Sequence, residues 1–385
     1  MKNPVELIMV SAENSNKFYR MTDTNDGNFA VEYGRVGVTS IKETYPISRW
    51  DSKYRKKIKK GYKDVSDLKV ESKEGEISFD SIDIEHFYKT FLRYTKDNVN
   101  RNYTIQVGAV TKLMLSEAQG ILNSMLLTED IGDFNKHLIQ LYTVLPRRMG
   151  NVRDYLFDNN ALKAKEDPFK KRIGVEQDIL DSLSSQVVTT VTENQSLTDL
   201  LGVVITDVTD FTFVNNLTLP TNSSKFRPYK IFKIEHPSRK QMFDNWLSNQ
   251  SNQHTEFLIH GTRNPNIFSI LKAGLIIRPT NAVISGAAYG EGIYHSAHSD
   301  KSLGYTGHDS DKLFLIQQVH MGNPYVYEGW YRDGKQINRN QMNYQYLKPN
   351  GYDSLYVKPG DGLRNSEYIV FNQEQTNTEY LVWMK

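Results

Sequence analysis

Cysteine is absent from the 385 residues. Disulfides, thiolate zinc-finger ligand sets and a cysteine nucleophile are therefore excluded, and a reducing, cytosolic or nuclear setting fits. Long apolar runs are missing near the start. In MKNPVELIMVSAENSN the only run is Leu7 to Val10, too short for a signal-peptide core or a membrane span. An intracellular address without a membrane partner is expected: the nucleus in a eukaryote, the cytoplasm or nucleoid in a bacterium or virus. Charge imbalance is also missing. Lys and Arg number 47 and Asp and Glu 45, a net charge of +2. No global field draws the chain to nucleic acid, so any such contact must use a local patch. No internal repeat and no metal-ligand cluster is visible.

What is present is enough chain for two or three domains. Hydrophobic residues make up 38% and charged residues 24%, a globular composition. Residues 1–70 look β-rich: FYRM, FAVEYGRVG and IKETYPI are strand-like, broken by NDG, Gly34 and Gly37. Residues 49–63, RWDSKYRKKIKKGYK, carry Arg49, Lys53, Arg55, Lys56, Lys57, Lys59, Lys60 and Lys63 against Asp51 alone. That run is either a solvated helix face or a phosphate-backbone contact helped by Trp50, Tyr54 and Tyr62. ESKEGE, residues 71–76, has linker composition.

Residues 80–192 turn helical. IDIEHFYKTFLRYTK has apolar residues at helical spacing, and Ser116-Glu117-Ala118-Gln119 has the form of a capping box. FNKHLIQLYTVL is a further helix closed by Pro146, and RIGVEQDILDSLSSQV another. A helical bundle with no chemistry of its own is the plain reading. From about residue 194 the runs YKIFKIEH, TEFLIH, KLFLIQQVHM, EYIVF and EYLVW are apolar and β-like. One helix interrupts them, with Asn264 as cap, Pro265 at its first position, IFSILKA as its apolar face and Gly274 at its end. His260 thus ends a strand, and Gly261-Thr262-Arg263 turn into a helix, a usual place for a ligand.

Residues 286–307 read GAAYGEGIYHSAHSDKSLGYTG. A surface loop needs the glycines but not the aromatics, and a core strand the reverse. A pocket clamping a flat polar ligand needs both: backbone close to the ligand, and rings against its face.

Four motifs in this order, LIHGTR at 258–263, GEGIYHS at 290–296, KSLGY at 301–305 and NSEYIVF at 365–371, resemble the poly(ADP-ribose) polymerases. FSILKAGL and HMGNPYVYE between them are similar as well. Upstream, YGRVG at 33–37 resembles the WGR module with Tyr33 in place of tryptophan, and KLMLSEAQGIL with FNKHLIQLYTVLP resembles the family's helical regulatory domain. The implied fold is multidomain α+β. A small β-rich WGR-like DNA-sensing domain occupies 1–75, an all-α helical regulatory bundle 80–192, and a mixed α/β ADP-ribosyltransferase fold with an antiparallel β core 194–385.

The resemblance implies NAD⁺ as substrate and no metal. Gly261 would bond the nicotinamide carboxamide through its backbone, with Ser302 supplying a third hydrogen bond. Tyr305 would stack on the ring, and Tyr294 would flank its other face. His260 would bond the adenosine ribose, and Arg278 would replace a family arginine that contacts NAD⁺ and stands as Ile276 here. Glu367 would be the catalytic carboxylate, acting with His260 and Tyr294, and Lys301 would position the acceptor. The residue types suit the chemistry. Cleaving the glycosidic bond builds positive charge on the ribose, which a carboxylate stabilises while orienting the incoming hydroxyl.

Arg364-Asn365-Ser366 replaces apolar and tyrosine residues that face the acceptor in long-polymer relatives, while Lys301 favours elongation. Arg35, Lys56 and Lys57 are the expected DNA contacts, with DNA ends or nicks and protein acceptors, the chain itself included, as partners. A monomer is favoured. The readings are a DNA-break-activated poly(ADP-ribose) polymerase, a mono(ADP-ribosyl)transferase acting on protein or nucleic-acid ends, and a non-catalytic DNA-end binding protein. If the basic run touches duplex phosphates, binding should fall with salt at a log–log slope of about −0.9 per contact. Replacing Lys56 and Lys57 together should then flatten that slope in a titration of nicked DNA, whereas a solvated face leaves it unchanged.

Overall fold

The computed structural model describes residues 2–66, 75–102, 110–126, 128, 130–158, 168–189, 193–277, 289–290, 292–307, 309–327, 331–332, 335–336, 344–360 and 363–385. The chain divides into two compact units. The first holds Met1–Glu74 and Lys96–Thr192, and the second Gly75–Thr95, Glu193–Thr280 and Ile284–Lys385. No helix among the described residues is long and apolar enough to cross a membrane.

In the first unit, β1 (Val5–Ser11), β2 (Ser15–Asp23), β3 (Asn28–Arg35) and β4 (Ile41–Pro46) meander antiparallel, and β5 (Lys63–Asp64) pairs on the far side of β1. The NDG signal between β2 and β3 works as read. Asn25 and Gly27 take positive φ of 61° and 85°, the left-handed backbone of a tight turn. Alternation along β1 separates two cores. Leu7 packs with Tyr19, Met21, Phe29 and Val31, while Ile8 and Val10 turn to the helices.

Helix α1 (Trp50–Lys59) closes the Leu7 core. The sequence offered Trp50, Tyr54 and Tyr62 as aromatics for nucleic acid, and the fold assigns them otherwise. Trp50 and Tyr62 are buried in that core, and Tyr54 donates to Asp64 at 2.8 Å. Trp50 and Tyr54 interleave with lysines because an amphipathic helix must alternate a core face with a wet one.

Helix α2 (Ile82–Asn102) runs across the division between the units. The helices α3 (Lys112–Met125), α4 (Ile131–Val144) and α5 (Pro168–Thr189) belong to the first unit. The capping box expected at Ser116 lies inside α3. Its start is capped by Thr111, whose hydroxyl accepts from the Met114 amide at 3.2 Å. Between these helices Glu176 is buried and accepts from Arg147 at 2.6 Å and from Tyr142 at 3.0 Å. The Arg147 carbonyl in turn accepts from Asn16 Nδ2 at 3.1 Å, tying the β1–β2 end to the helices.

The second unit begins with β6 (Ile77–Ser78), which pairs in parallel with β7 (Gln195–Ser196), followed by α6 (Leu197–Leu201). The elements β8 (Val204–Asp207), α7 (Thr212–Thr218), β9 (Pro228–Glu235), α8 (Pro237–Ser248), β10 (Thr255–Gly261) and α9 (Ile267–Ala273) come next. They are followed by β11 (Ile293–His295), α10 (Ser299–Gly304), β12 (Lys312–His320), β13 (Pro324–Tyr327), β14 (Tyr331–Arg332), β15 (Lys335–Gln336) and α11 (Tyr344–Leu347). The last strands are β16 (Ser354–Val357), β17 (Glu367–Val370) and β18 (Thr376–Met384).

Two sheets form the frame, in the orders β10-β12-β18-β9-β8 and β11-β17-β16-β13. All pairs in the first are antiparallel, and β13–β16 alone is parallel in the second. The run Leu313–Ile316 is continuously apolar because β12 is flanked by two strands and covered on both faces. Leu313, Phe314, Leu315 and Ile316 are all fully buried.

Asn264 does not cap the helix after His260. It is fully buried, and its Nδ2 donates to the Asp311 carbonyl at 2.9 Å and to Asp309 at 3.1 Å. Gly274 ends α9 with φ 74° as expected, and a Cβ there would lie 2.4 Å from Arg239 Nε.

The first half of α2 is a piece of the second unit's core. Phe87 packs on Phe232 and Phe268, Phe91 meets Trp383 edge-on at 5.1 Å, and Tyr94 donates to Asp311 at 2.6 Å. Asp311 also accepts from Trp383 Nε1 at 2.8 Å. Phe91→Ala should therefore cost about 3–5 kcal/mol, while Ile82→Ala, at a residue 83% exposed, should cost little. Urea unfolding of both variants checks this.

Candidate active site

β10 carries His260 and Gly261 to its C-terminal end, opposite Leu315 and Phe314 of β12. A bridge ties the strand to the β11 side: Ile259 and Ser296 exchange backbone bonds at 2.8 and 2.9 Å. β11 then pairs with β17, Tyr294 opposite Ile369. Glu367 opens β17 opposite Val357 of β16. Helix α10 brings Lys301 and Ser302, with Tyr305 at its end. Strand ends and one short helix thus gather residues that are far apart in the chain.

Gly261 has a steric reason to be glycine. A Cβ there would lie 2.0 Å from the Ser302 carbonyl oxygen. Ser302 is buried, and its hydroxyl donates to the Ile259 carbonyl at 3.3 Å. The two residues expected to hold one flat amide are therefore backbone neighbours in space.

His260 Nδ1 lies 2.9 Å from the Tyr294 carbonyl. A carbonyl only accepts, so Nδ1 carries the proton and Nε2 is left as an acceptor. Burial pushes the imidazole below its ordinary range, which keeps it neutral. His295, which the sequence reasoning missed, is buried 5.9 Å from His260, ring edge to ring face. Its strand position next to Tyr294 was the only available signal.

Tyr294 is held by its hydroxyl, which donates to the Gly290 carbonyl at 2.7 Å and accepts from the Tyr289 amide at 3.0 Å. Burial pushes its phenol up, and the Glu367 charge adds to the effect. Burial and Glu367 likewise raise the phenol of Tyr305, which is 45% exposed. Both rings thus lie in the field of one carboxylate. Arg278 lies outside the described residues.

Glu367 is buried, with Oε1 2.7 Å from Lys301 Nζ. Its Oε2 is also buried and has no hydrogen-bond partner among the described residues. Lys301 further donates to the carbonyls of Asn365 and Ser366 at 3.2 and 3.3 Å, so it braces the strand entry as well as pairing the acid. A buried carboxylate with one oxygen neutralised and the other free can accept a hydroxyl proton or face a developing cation. Among the described residues no group of three or more His, Asp or Glu could hold a metal ion.

The residues expected to meet DNA lie in the first unit. Lys56 is exposed. Lys57 sits over Tyr19 at 4.0 Å, Tyr62 at 5.0 Å and Tyr33 at 5.4 Å, and burial, with neighbouring lysines, lowers its ammonium from the ordinary range. Arg35 donates to Asn14 Oδ1 at 2.8 Å, the Asn14 carbonyl at 3.0 Å, the Gly150 carbonyl at 2.8 Å and the Met149 carbonyl at 3.3 Å. Tyr33 donates to Glu43 at 3.0 Å.

The profile of the poly(ADP-ribose) polymerase catalytic domain matches residues 208–385. The poly(ADP-ribose) polymerase-like protein 100L of Invertebrate iridescent virus 6 is 44% identical over 157 residues, 40% of this chain and 85% of that protein. Protein 101L of the same virus, uncharacterized, is 36% identical over 202 residues, 51% of this chain and 83% of its own length. Poly(ADP-ribose) polymerase 1 of Gallus gallus is 23% identical over 343 residues, 79% of this chain but 32% of that protein.

Removing Lys301 would leave a buried charge without its partner. Lys301→Met should destabilise the fold by about 3–5 kcal/mol at neutral pH. Adding Glu367→Gln should restore much of the stability, and denaturant unfolding of the single and double variants tests both claims.

Proposed function

The chain belongs to the poly(ADP-ribose) polymerase family and is an NAD⁺ ADP-ribosyltransferase, and from that premise we propose that it is a DNA-break-activated polymerase that modifies protein, itself included. The observation that carries the catalytic part is Glu367, buried, paired on one oxygen and free on the other, in the same neighbourhood as Tyr294 and Tyr305. In this reading the nicotinamide lies between the two tyrosine rings, and its carboxamide bonds to the Gly261 backbone and Ser302. His260 Nε2 accepts from the adenosine ribose. As the bond from ribose to nicotinamide lengthens, positive charge on the ribose is stabilised by the Glu367 carboxylate. Neutral nicotinamide takes the electron pair, so no general acid is required. The acceptor hydroxyl gives its proton toward Glu367 Oε2 as it attacks the ribose carbon.

Regulation by DNA is assigned to residues 1–75, through Lys56 and neighbouring exposed cations of α1. The helical stretch would restrain transfer until DNA is bound. A second reading, mono(ADP-ribosyl) transfer, is favoured by Arg364-Asn365-Ser366 ahead of Glu367. The mono-ADP-ribosyltransferase PARP3 of Gallus gallus is 25% identical to this chain over 227 residues.

Labelled NAD⁺ with no DNA, nicked DNA or blunt duplex separates the readings. A polymerase gives a ladder that strengthens with DNA, a mono-transferase gives a single band, and a dead binding protein gives none. Glu367→Gln should lower transfer by at least about 10²-fold with little change in NAD⁺ affinity, because the carboxylate acts on transition-state charge. Wild-type transfer by this variant would overturn the role of Glu367.

A further inference from the structure

Arg364 stands three residues ahead of Glu367 in the chain. Gly360 and Leu363 exchange backbone hydrogen bonds at 2.9 and 2.8 Å just before it. Lys301 holds the carbonyls of Asn365 and Ser366 just after it. The backbone is pinned on both sides, yet the Arg364 side chain is exposed. Among the described residues it makes no hydrogen bond or ion pair. Its charge does bear on Asp300. Burial pushes that carboxyl up, but the Ser223 hydroxyl and amide, helped by Arg364, hold it below the usual range. Both Asp300 oxygens already accept from Ser223, the amide at 2.9 and 3.0 Å and the hydroxyl at Oδ2.

What matters at this rim is the hydrogen-bonding capacity each group has left. Lys301 is paired with Glu367, and the acceptor oxygens of Asp300 are largely taken up by Ser223 although its negative charge remains. What remains for an incoming molecule is one guanidinium with its five donors. A neighbouring carboxylate makes the spot poor for a doubly charged diphosphate and suited to a single carboxylate, which a guanidinium binds through two parallel bonds. We propose that Arg364 selects the protein acceptor for the first transfer, favouring a residue flanked by acidic side chains. The inference rests on the transferase reading above and concerns acceptor choice, not NAD⁺. In the transfer, the acceptor oxygen bonds to the ribose carbon, and the carbon–nitrogen bond to nicotinamide breaks with its electron pair leaving on nicotinamide. The acceptor's proton, where it has one, passes through Glu367 to water, so the carboxylate is regenerated.

The test uses three peptides sharing one central serine and one central glutamate and differing only in Asp, Asn or Lys flanks. Initial rates of labelled ADP-ribose transfer are compared for the full chain, Arg364→Gln and Arg364→Glu, in the presence of DNA ends. Wild type should favour the Asp-flanked over the Lys-flanked peptide by about tenfold, less at high salt. Arg364→Gln should erase that ratio, and Arg364→Glu should invert it. Because the readout is a ratio between peptides, a general loss of activity cancels. An unchanged ratio in Arg364→Glu overturns the proposal. So does an effect confined to a fourth peptide with phosphoserine flanks, which would assign Arg364 to phosphate. Wild type that releases nicotinamide but modifies no peptide overturns the protein-acceptor reading instead, and this inference with it.

Discussion

The pairing of β11 with β17 is the constraint on which the site depends. It sets Tyr294 opposite Ile369 and so brings Glu367, at the start of β17, into the neighbourhood of a ring more than seventy residues earlier in the chain. The Ile259–Ser296 bridge adds the end of β10, and with it His260 and Gly261. Backbone hydrogen bonds carry this geometry, so the side chains at the strand ends are free to serve chemistry. The arrangement costs a buried acid, and Lys301 offsets that cost while bracing the two carbonyls ahead of Glu367.

Positions that look like loop filler acquire reasons in this frame. Gly261 is glycine because the Ser302 carbonyl occupies the space of a side chain. His260 has a defined tautomer because its Nδ1 faces a carbonyl. Tyr294 is anchored at its hydroxyl by Gly290 and Tyr289, so its ring is presented in one orientation. Each is a case of preorganisation, in which the group is placed before any ligand arrives.

The first unit follows the same logic with different materials. Lys57 and Arg35 look on paper like free cations for phosphate. In space, Lys57 lies on three tyrosine rings and Arg35 binds carbonyls on both sides. A cation already paired has less to offer a phosphate, so the exposed Lys56 is the stronger candidate contact of the three. The boundaries of the units show a similar point. α2 is one continuous helix by periodicity, yet its aromatic first half is core for the second unit. Helical spacing reports that a face is buried, not what buries it.

The sequence by itself indicated the class and order of many elements, and it proposed the chemical roles. NDG marked a turn, and KLFLIQQVHM marked an apolar strand. HGTR, GIYH, KSLGY and SEYIV pointed to the candidate site residues through their resemblance to the family's motifs. Tertiary structure alone decided which partner each group has. Ser116 is interior to a helix that Thr111 begins, Asn264 is a buried brace, Trp50 and Tyr62 are core, and His295 backs His260. The physical reason is range. Turn chemistry and periodicity act over a few residues, whereas hydrogen-bond partners, ion pairs and burial depend on which distant strand or helix folding brings alongside.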